Sequence, residues 1–237
     1  MSATAAAIRA AVLELGDPAR AESSEWFFKT GPGEYGEGDR FAGVAVPVLR
    51  KLARRFRGVS PDVTGELLAD DIHEVRLLAL LLMVGEFERS SDREVWVRAY
   101  RGGVAAGRVN NWDLVDSSAR QILGAWCLDR GDAAELVSYA RRDGLWERRV
   151  GIVGTHAYLF AGDASATLAV APHVVDDRRD LIQKAFGWML REMGKRVSRA
   201  SLTDYLDEHA AHLGRTALSY AVEHLDPDQR KHYRSLR

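Results

Sequence analysis

Asn110-Asn111-Trp112-Asp113-Leu114-Val115-Asp116 puts an indole and a carboxylate four residues apart. On a helix that spacing brings both to one face. The pair suits one kind of chemistry. Breaking a glycosidic bond builds positive charge on the sugar ring. A nearby carboxylate stabilises that charge and can orient the attacking water, and an aromatic face adds cation–π attraction. Spacing alone leaves a plainer assignment open, in which Asp113 is a helix-start carboxylate and Trp112 a core residue.

A second aromatic sits among cations. In Leu181–Lys195 the residues Leu181, Ile182, Ala185, Phe186, Met189, Leu190 and Met193 form an apolar face. Lys184, Trp188, Arg191 and Lys195 form another stripe at i, i+4, i+7 and i+11. Phosphates taken by the cations, with the indole against sugar or base, would explain the stripe. A Trp packed edgewise into the core beside solvated cations would explain it too. Arg148 and Arg149 in Trp146-Glu147-Arg148-Arg149 open a further helix. Phosphate or a salt bridge to a neighbouring repeat would satisfy them equally.

The elements that must carry these residues are helical almost throughout, with strand signals nearly absent. About a dozen helices of roughly 8–18 residues are expected. The six prolines are expected at helix boundaries: Pro47 opening Val48–Arg57, Pro61 the next segment and Pro227 the last helix. Gly131-Asp132, Gly162-Asp163 and Asp143-Gly144 punctuate the rest. Thr30–Asp39 holds five Gly or Pro residues and must be a loop. It lacks a GK[ST] ending, and its three acids would repel phosphate, so it reads as a connector. Arg76, Arg149, Lys184 and Arg215 stand early in apolar helices at a weak period near 35 residues. That period suggests stacked helical pairs with a concave binding face. A single domain over 1–237 is expected, with N-terminal helices and the Gly-rich loop in 1–58 and helical repeats in 59–237.

Composition narrows the class. The 237 residues are 46% hydrophobic and 28% charged, with a formal net charge of −1. Such a balance fits a globular chain and argues mildly against a nucleic-acid binder that works by bulk charge. The charge is unevenly spread: residues 1–40 carry four Lys/Arg against seven Asp/Glu, and residues 141–200 carry eleven against seven. A local basic face is therefore expected. The longest apolar run, Leu77–Val84, is too short to cross a bilayer. No export signal is read at the N-terminus, so a cytoplasmic location is expected. The single cysteine, Cys127, allows no intrachain disulfide and reads as a buried thiol.

Four segments, in order, resemble the AlkD family of HEAT-like DNA glycosylases. Phe41-Ala-Gly-Val-Ala-Val-Pro-Val-Leu-Arg50 is similar to the family's F-x-G-V-x-x-P-x-x-R segment, and Trp112–Asp116 to its W-D-x-V-D motif. Trp146–Arg149 is similar to the opening of its W-x-x-R-x-A-I segment, and Gln183–Glu192 to its Q-K-A-x-G-W-x-L-R-E motif. The resemblance spans about Trp26 to Lys195. It implies an all-α superhelix of HEAT-like repeats that binds double-stranded DNA containing alkylated bases and excises cationic N3- and N7-alkylpurines. Members do not draw the base into a pocket, because the cationic base is already a good leaving group. Trp112 and Trp188 would pack on deoxyribose, and Asp116 would stabilise the oxocarbenium ion and position water. Arg149 and Arg191 would hold the backbone, with Arg148, Lys184 and Lys195 as further DNA-binding cations. No metal or cofactor and a monomeric state are expected. Lesion preference, and the roles of loop 30–39 and Arg40, stay open. A non-catalytic binder of damaged, bent or branched DNA and a protein scaffold are the alternatives.

Overall fold

The computed structural model describes residues 3–236, and among them there is no strand, only an isolated bridge between Arg40 and Ile72. The fold is all-α, in the helical-repeat class. Two compact units divide at Ser118/Ala119.

The first unit holds α1 (Ala5–Glu14), α2 (Pro18–Phe27), α3 (Val46–Arg55), α4 (Pro61–Leu68), α5 (His73–Arg89), α6 (Glu94–Ala105) and α7 (Trp112–Asp116). Side-chain caps start several of them. Asp17 accepts from Ala19 and Arg20 at α2, and Ser60 accepts from Val63 at α4. Helix α5 is the centre of the unit. It is buried from His73 to Leu80 and packs against α3, α4, α6 and α7. Helix α2 buries no residue, and Trp26 and Phe27 at its end are exposed.

The Gly-rich stretch is a chain of turns between α2 and α3, as expected of a connector. Two of its acids fold back on the loop's own backbone: Glu34 accepts from the Gly31 amide, and Glu37 from the Gly33 amide. The following segment is fastened by Glu74, whose buried carboxylate accepts from the amides of Ala42, Gly43 and Val44 at 2.8, 2.8 and 3.2 Å. Gly43 has φ +80°, and a Cβ there would lie 2.0 Å from the Asp17 carbonyl oxygen, so only glycine fits.

The second unit begins with a π-helical turn, Arg120–Gly124. It continues through α8 (Ala125–Asp129), α9 (Ala134–Ala140), α10 (Leu145–Gly154), α11 (His156–Phe160), α12 (Ser165–Val174), α13 (Asp180–Arg196), α14 (Arg199–His209), α15 (Arg215–Ala221) and α16 (Pro227–Ser235). Helix α10 packs on α9 and α13, and α13 on α14 and α15. Arg149, Lys184 and Arg215 sit at the heads of α10, α13 and α15, so the weak sequence period marks successive neighbouring helices. Gly187 allows the tightest of these contacts: a Cβ there would lie 2.4 Å from the Ala217 carbonyl oxygen on α15.

Three expectations need correction. The described residues form sixteen α-helical segments of 5–17 residues, more than a dozen, because longer runs are interrupted. From Trp112 to Asp129 the chain is helical apart from a turn at 117–119 and the π segment, where Gly124 donates five residues back to Ala119. The prolines do not all sit at boundaries. Pro172 lies inside α12, in its last turn, where a missing N–H interrupts little helix beyond it. Pro47 is the second residue of α3, which runs from Val46 to Arg55 rather than from Val48 to Arg57. Cys127 is buried. No helix among the described residues is long and apolar enough to cross a membrane.

Candidate nucleic-acid interface

In the first unit, Trp112 and Asp116 are the first and last residues of α7, and both side chains are half-buried. They share a face and remain reachable. The helix is short, so its position depends on what pins its head. Asn111 caps it, accepting from the Trp112 amide at 2.8 Å, and donates from Nδ2 to Asp39 at 3.1 Å. Asp113, in the first turn as a helix-start carboxylate would be, accepts from the Leu114 amide through one oxygen. Its other oxygen lies 2.8 Å from His73 Nε2.

His73 is the hinge of this arrangement. Its Nδ1 lies 3.2 Å from Asp39, whose other oxygen accepts from Arg76 at 2.6 Å. A ring with a carboxylate at each nitrogen is satisfied only as the doubly protonated cation. Burial opposes that charge, but Asp113 and Asp39 outweigh it and push His73 up to about 9. Burial likewise works against the Asp39 carboxylate, yet His73, Arg76 and Asn111 hold it down to about 2. Both groups are therefore charged at neutral pH.

Aromatic rings cover the network. Phe41 stacks on the His73 ring at 4.6 Å, and Phe28 stacks on Phe41 at 5.0 Å. Phe28 also stacks on Trp112, with centroids 5.4 Å apart and planes 16° from parallel. Phe27 meets the same indole edge-on at 6.0 Å. Trp112 is thus part of an aromatic array that ends on a buried imidazolium.

In the second unit, α13 carries both faces expected of it. Ile182, Ala185, Phe186, Met189, Leu190 and Met193 are buried, while Leu181, at the helix start, is only half-buried. Trp188 is half-buried too, and its edge meets the ring of His156 at 5.1 Å. The stripe of cations is present, but most of it already has acidic company. Lys184 pairs with Asp180 at 2.7 Å, Arg191 pairs with Glu223, and Lys195 is exposed.

The arginine pair at the head of α10 is more deeply engaged. Arg149 is buried and donates to the Leu181 carbonyl at 2.5 Å, tying α10 to the start of α13. Arg148 lies 2.8 Å from Asp177 and donates to the Arg142 carbonyl. Partial burial disfavours the Asp177 charge, but Arg179 and Arg148 outweigh that and lower its pKa. Asp177 thus gives Arg148 an ionic partner outside α10.

Sequence spacing assigns no site role to Phe28, Asp39, His73, Glu74, Asn111, His156 or Glu192. One signal was available. Ile72-His73-Glu74-Val75-Arg76 sets three ionisable groups at the head of the helix that carries the longest apolar run, where such groups need partners. Nothing in the sequence named those partners, since Asp39 is 34 residues away in a loop and Asp113 is 40 residues away.

A family model described as "DNA alkylation repair enzyme" matches residues 8–225, further at both ends than the resembling segments. Among solved structures, a chain described as a predicted DNA alkylation repair enzyme from Enterococcus faecalis is similar at a TM-score of 0.71 and 19% identity. The similarity covers 90% of this chain and 97% of that one. No curated protein matches the sequence.

Proposed function

This chain belongs to the family of DNA alkylation repair enzymes, and from that membership we propose that it is a glycosylase that hydrolyses the N-glycosidic bond of cationic N3- or N7-alkylpurines in duplex DNA. The observation that carries the reading is the pair on α7. Asp116 and Trp112 share a face, both are part-exposed, and the helix is pinned at its head by the Asn111, Asp39, His73 and Asp113 network. A reacting group held this way costs little reorganisation.

The chemistry asks for little more. An alkylpurine that carries a positive charge leaves as a neutral base, so no general acid is needed at the leaving group. As the C1′–N bond breaks, positive charge moves onto the deoxyribose. Asp116 stabilises that charge and orients water for attack at C1′, and the proton released passes to the carboxylate or to solvent. Trp112 offers its open side to the sugar. In the second unit, Trp188 packs on deoxyribose, Lys184 and Arg191 exchange their acidic partners for phosphates, and the exposed Lys195 takes another. Arg148 and Arg149 support this surface by holding α10 in place. The substrate-side base needs no pocket of its own.

The test is release of 7-methylguanine, and of a bulky cationic purine adduct, from duplex DNA by purified protein. Release above the spontaneous rate is expected for at least one. Salt-sensitive duplex binding with no release of either would replace the enzyme by a non-catalytic binder of damaged DNA.

A further inference from the structure

Phe160, the last residue of α11, is an aromatic side chain left half-exposed. Two guanidinium groups lie over its ring, Arg120 with Cζ 4.5 Å from the centroid and Arg196 with Cζ 3.6 Å from it. They come from different elements: Arg120 from the π-helical turn and Arg196 from the last residue of α13. Bringing two like charges to one ring is costly unless something compensates. Part of the compensation is Glu192, a buried acid that accepts from Arg196 Nε at 2.6 Å. Arg196 spends one of its five N–H donors on that bond.

His156 lies one turn before Phe160 and joins this cluster to Trp188. Its ring is 4.8 Å from Phe160 and 5.1 Å from the indole. It is 7% exposed, yet its Nε2 makes no hydrogen bond, and the closest acid, Glu192, stands 3.5 Å away. Burial first, then Arg120 and Arg196, hold the ring down to about 4 despite Glu192. A buried, neutral imidazole with an unused nitrogen is expensive to keep unless a ligand group or water meets it.

We propose that Arg120, Phe160 and Arg196 form a clamp for one backbone phosphodiester of duplex DNA, bordered by His156 and Trp188. It rests on the reading that DNA is the partner, and it assigns to that surface two cations outside the Lys184–Trp188–Arg191–Lys195 stripe. The physical grounds are specific. A guanidinium stacked on an aromatic ring is pre-oriented, with its N–H fork directed along the ring edge. Phosphate oxygens match that fork. The exposed half of the Phe160 side chain gives the adjoining sugar an apolar seat. Because His156 is neutral, it adds a hydrogen-bonding edge without a third positive charge.

The experiment is anisotropy of a labelled duplex titrated with the full-length protein across a salt series. Arg120→Gln should weaken binding about 3- to 10-fold and reduce the slope of log K against log salt by about 1. Phe160→Leu should weaken binding with the slope unchanged. Arg196 supports a buried acid, so Arg196→Lys is the variant to use, and it should keep the slope while losing affinity. Neutralising single phosphates as methylphosphonates should find one position that matters to the parent and no longer matters to Arg120→Gln. If the parent binds with strong salt dependence while Arg120→Gln and Phe160→Leu bind as it does, the clamp is wrong and DNA remains the partner. If the parent shows no salt-sensitive duplex binding, the DNA reading falls and the clamp with it. Competition by inorganic phosphate beyond its ionic strength would reassign the cluster to free phosphate and overturn the proposal.

Discussion

His73 donates to Asp113 across 2.8 Å, and Asp113 is the residue next to Trp112. A buried imidazolium thus sets the head of the helix that carries the candidate catalytic carboxylate. On its other side Asp39 reaches Nδ1 at 3.2 Å, so loop 30–39, α5 and α7 are joined through one ring.

This pairing predicts a pH dependence of stability with two arms. Burial opposes the His73 charge but its carboxylates win, so the folded ring releases its proton near 9 rather than at the ordinary 6.5. Its contribution is complete below 6.5 and is lost as pH rises toward 9. His156 behaves in the opposite way. Burial, then Arg120 and Arg196, delay its protonation to about 4, so unfolding is favoured as pH falls from 6.5 toward 4. The melting temperature should peak near 6.5. His73→Gln should flatten the alkaline arm and His156→Gln the acidic arm above 4. An alkaline arm that survives unchanged in His73→Gln would assign it to another group.

Replacing Asp39 by Ala removes the acid shared by Arg76, His73 and Asn111, all buried. An uncompensated buried cation costs about 3–5 kcal/mol. Urea unfolding should register a loss of that size. A loss below about 1 kcal/mol, typical of exposed pairs, would mean the network relaxes to solvent.

Asp116→Asn keeps the shape of the side chain and removes its charge. Single-turnover release of 7-methylguanine should slow by about 10²- to 10³-fold, the scale for losing one charge-stabilising group. Duplex affinity should change little. Equal losses in rate and affinity would take Asp116 out of the chemistry.

Gly187→Ala places a methyl group where the Ala217 carbonyl oxygen would be 2.4 Å away. Overpacking of this kind costs about 1–3 kcal/mol. The check is the denaturation midpoint, and a variant as stable as the parent would show that α13 and α15 can part without penalty.

The helical class, the connector role of the Gly-rich loop and the stacking of α10, α13 and α15 were legible in the sequence, because each follows from local periodicity or turn chemistry. Trp112 with Asp116, and Trp188 with its cations, were legible for the same reason: helical spacing places them. The partners were not. Whether Arg149 meets a phosphate or the Leu181 carbonyl depends on packing 32 residues away, and no local pattern records that. Asp39 shows the limit most clearly. In sequence it is one more acid in a glycine-rich turn, and in the fold it is the buried counter-charge of Arg76 and His73.

The contact at Gly187 bears on how one enzyme could meet lesions of different size. Trp188 follows that glycine directly, on a helix seated so closely against α15 that not even a methyl group fits between them. The backbone that carries this ring is therefore held against α15. On the proposed function, a helix that cannot shift leaves accommodation of a larger adduct to the nucleic acid, which bends and unstacks cheaply, so the deformability of the flanking sequence becomes a determinant of which damage is repaired.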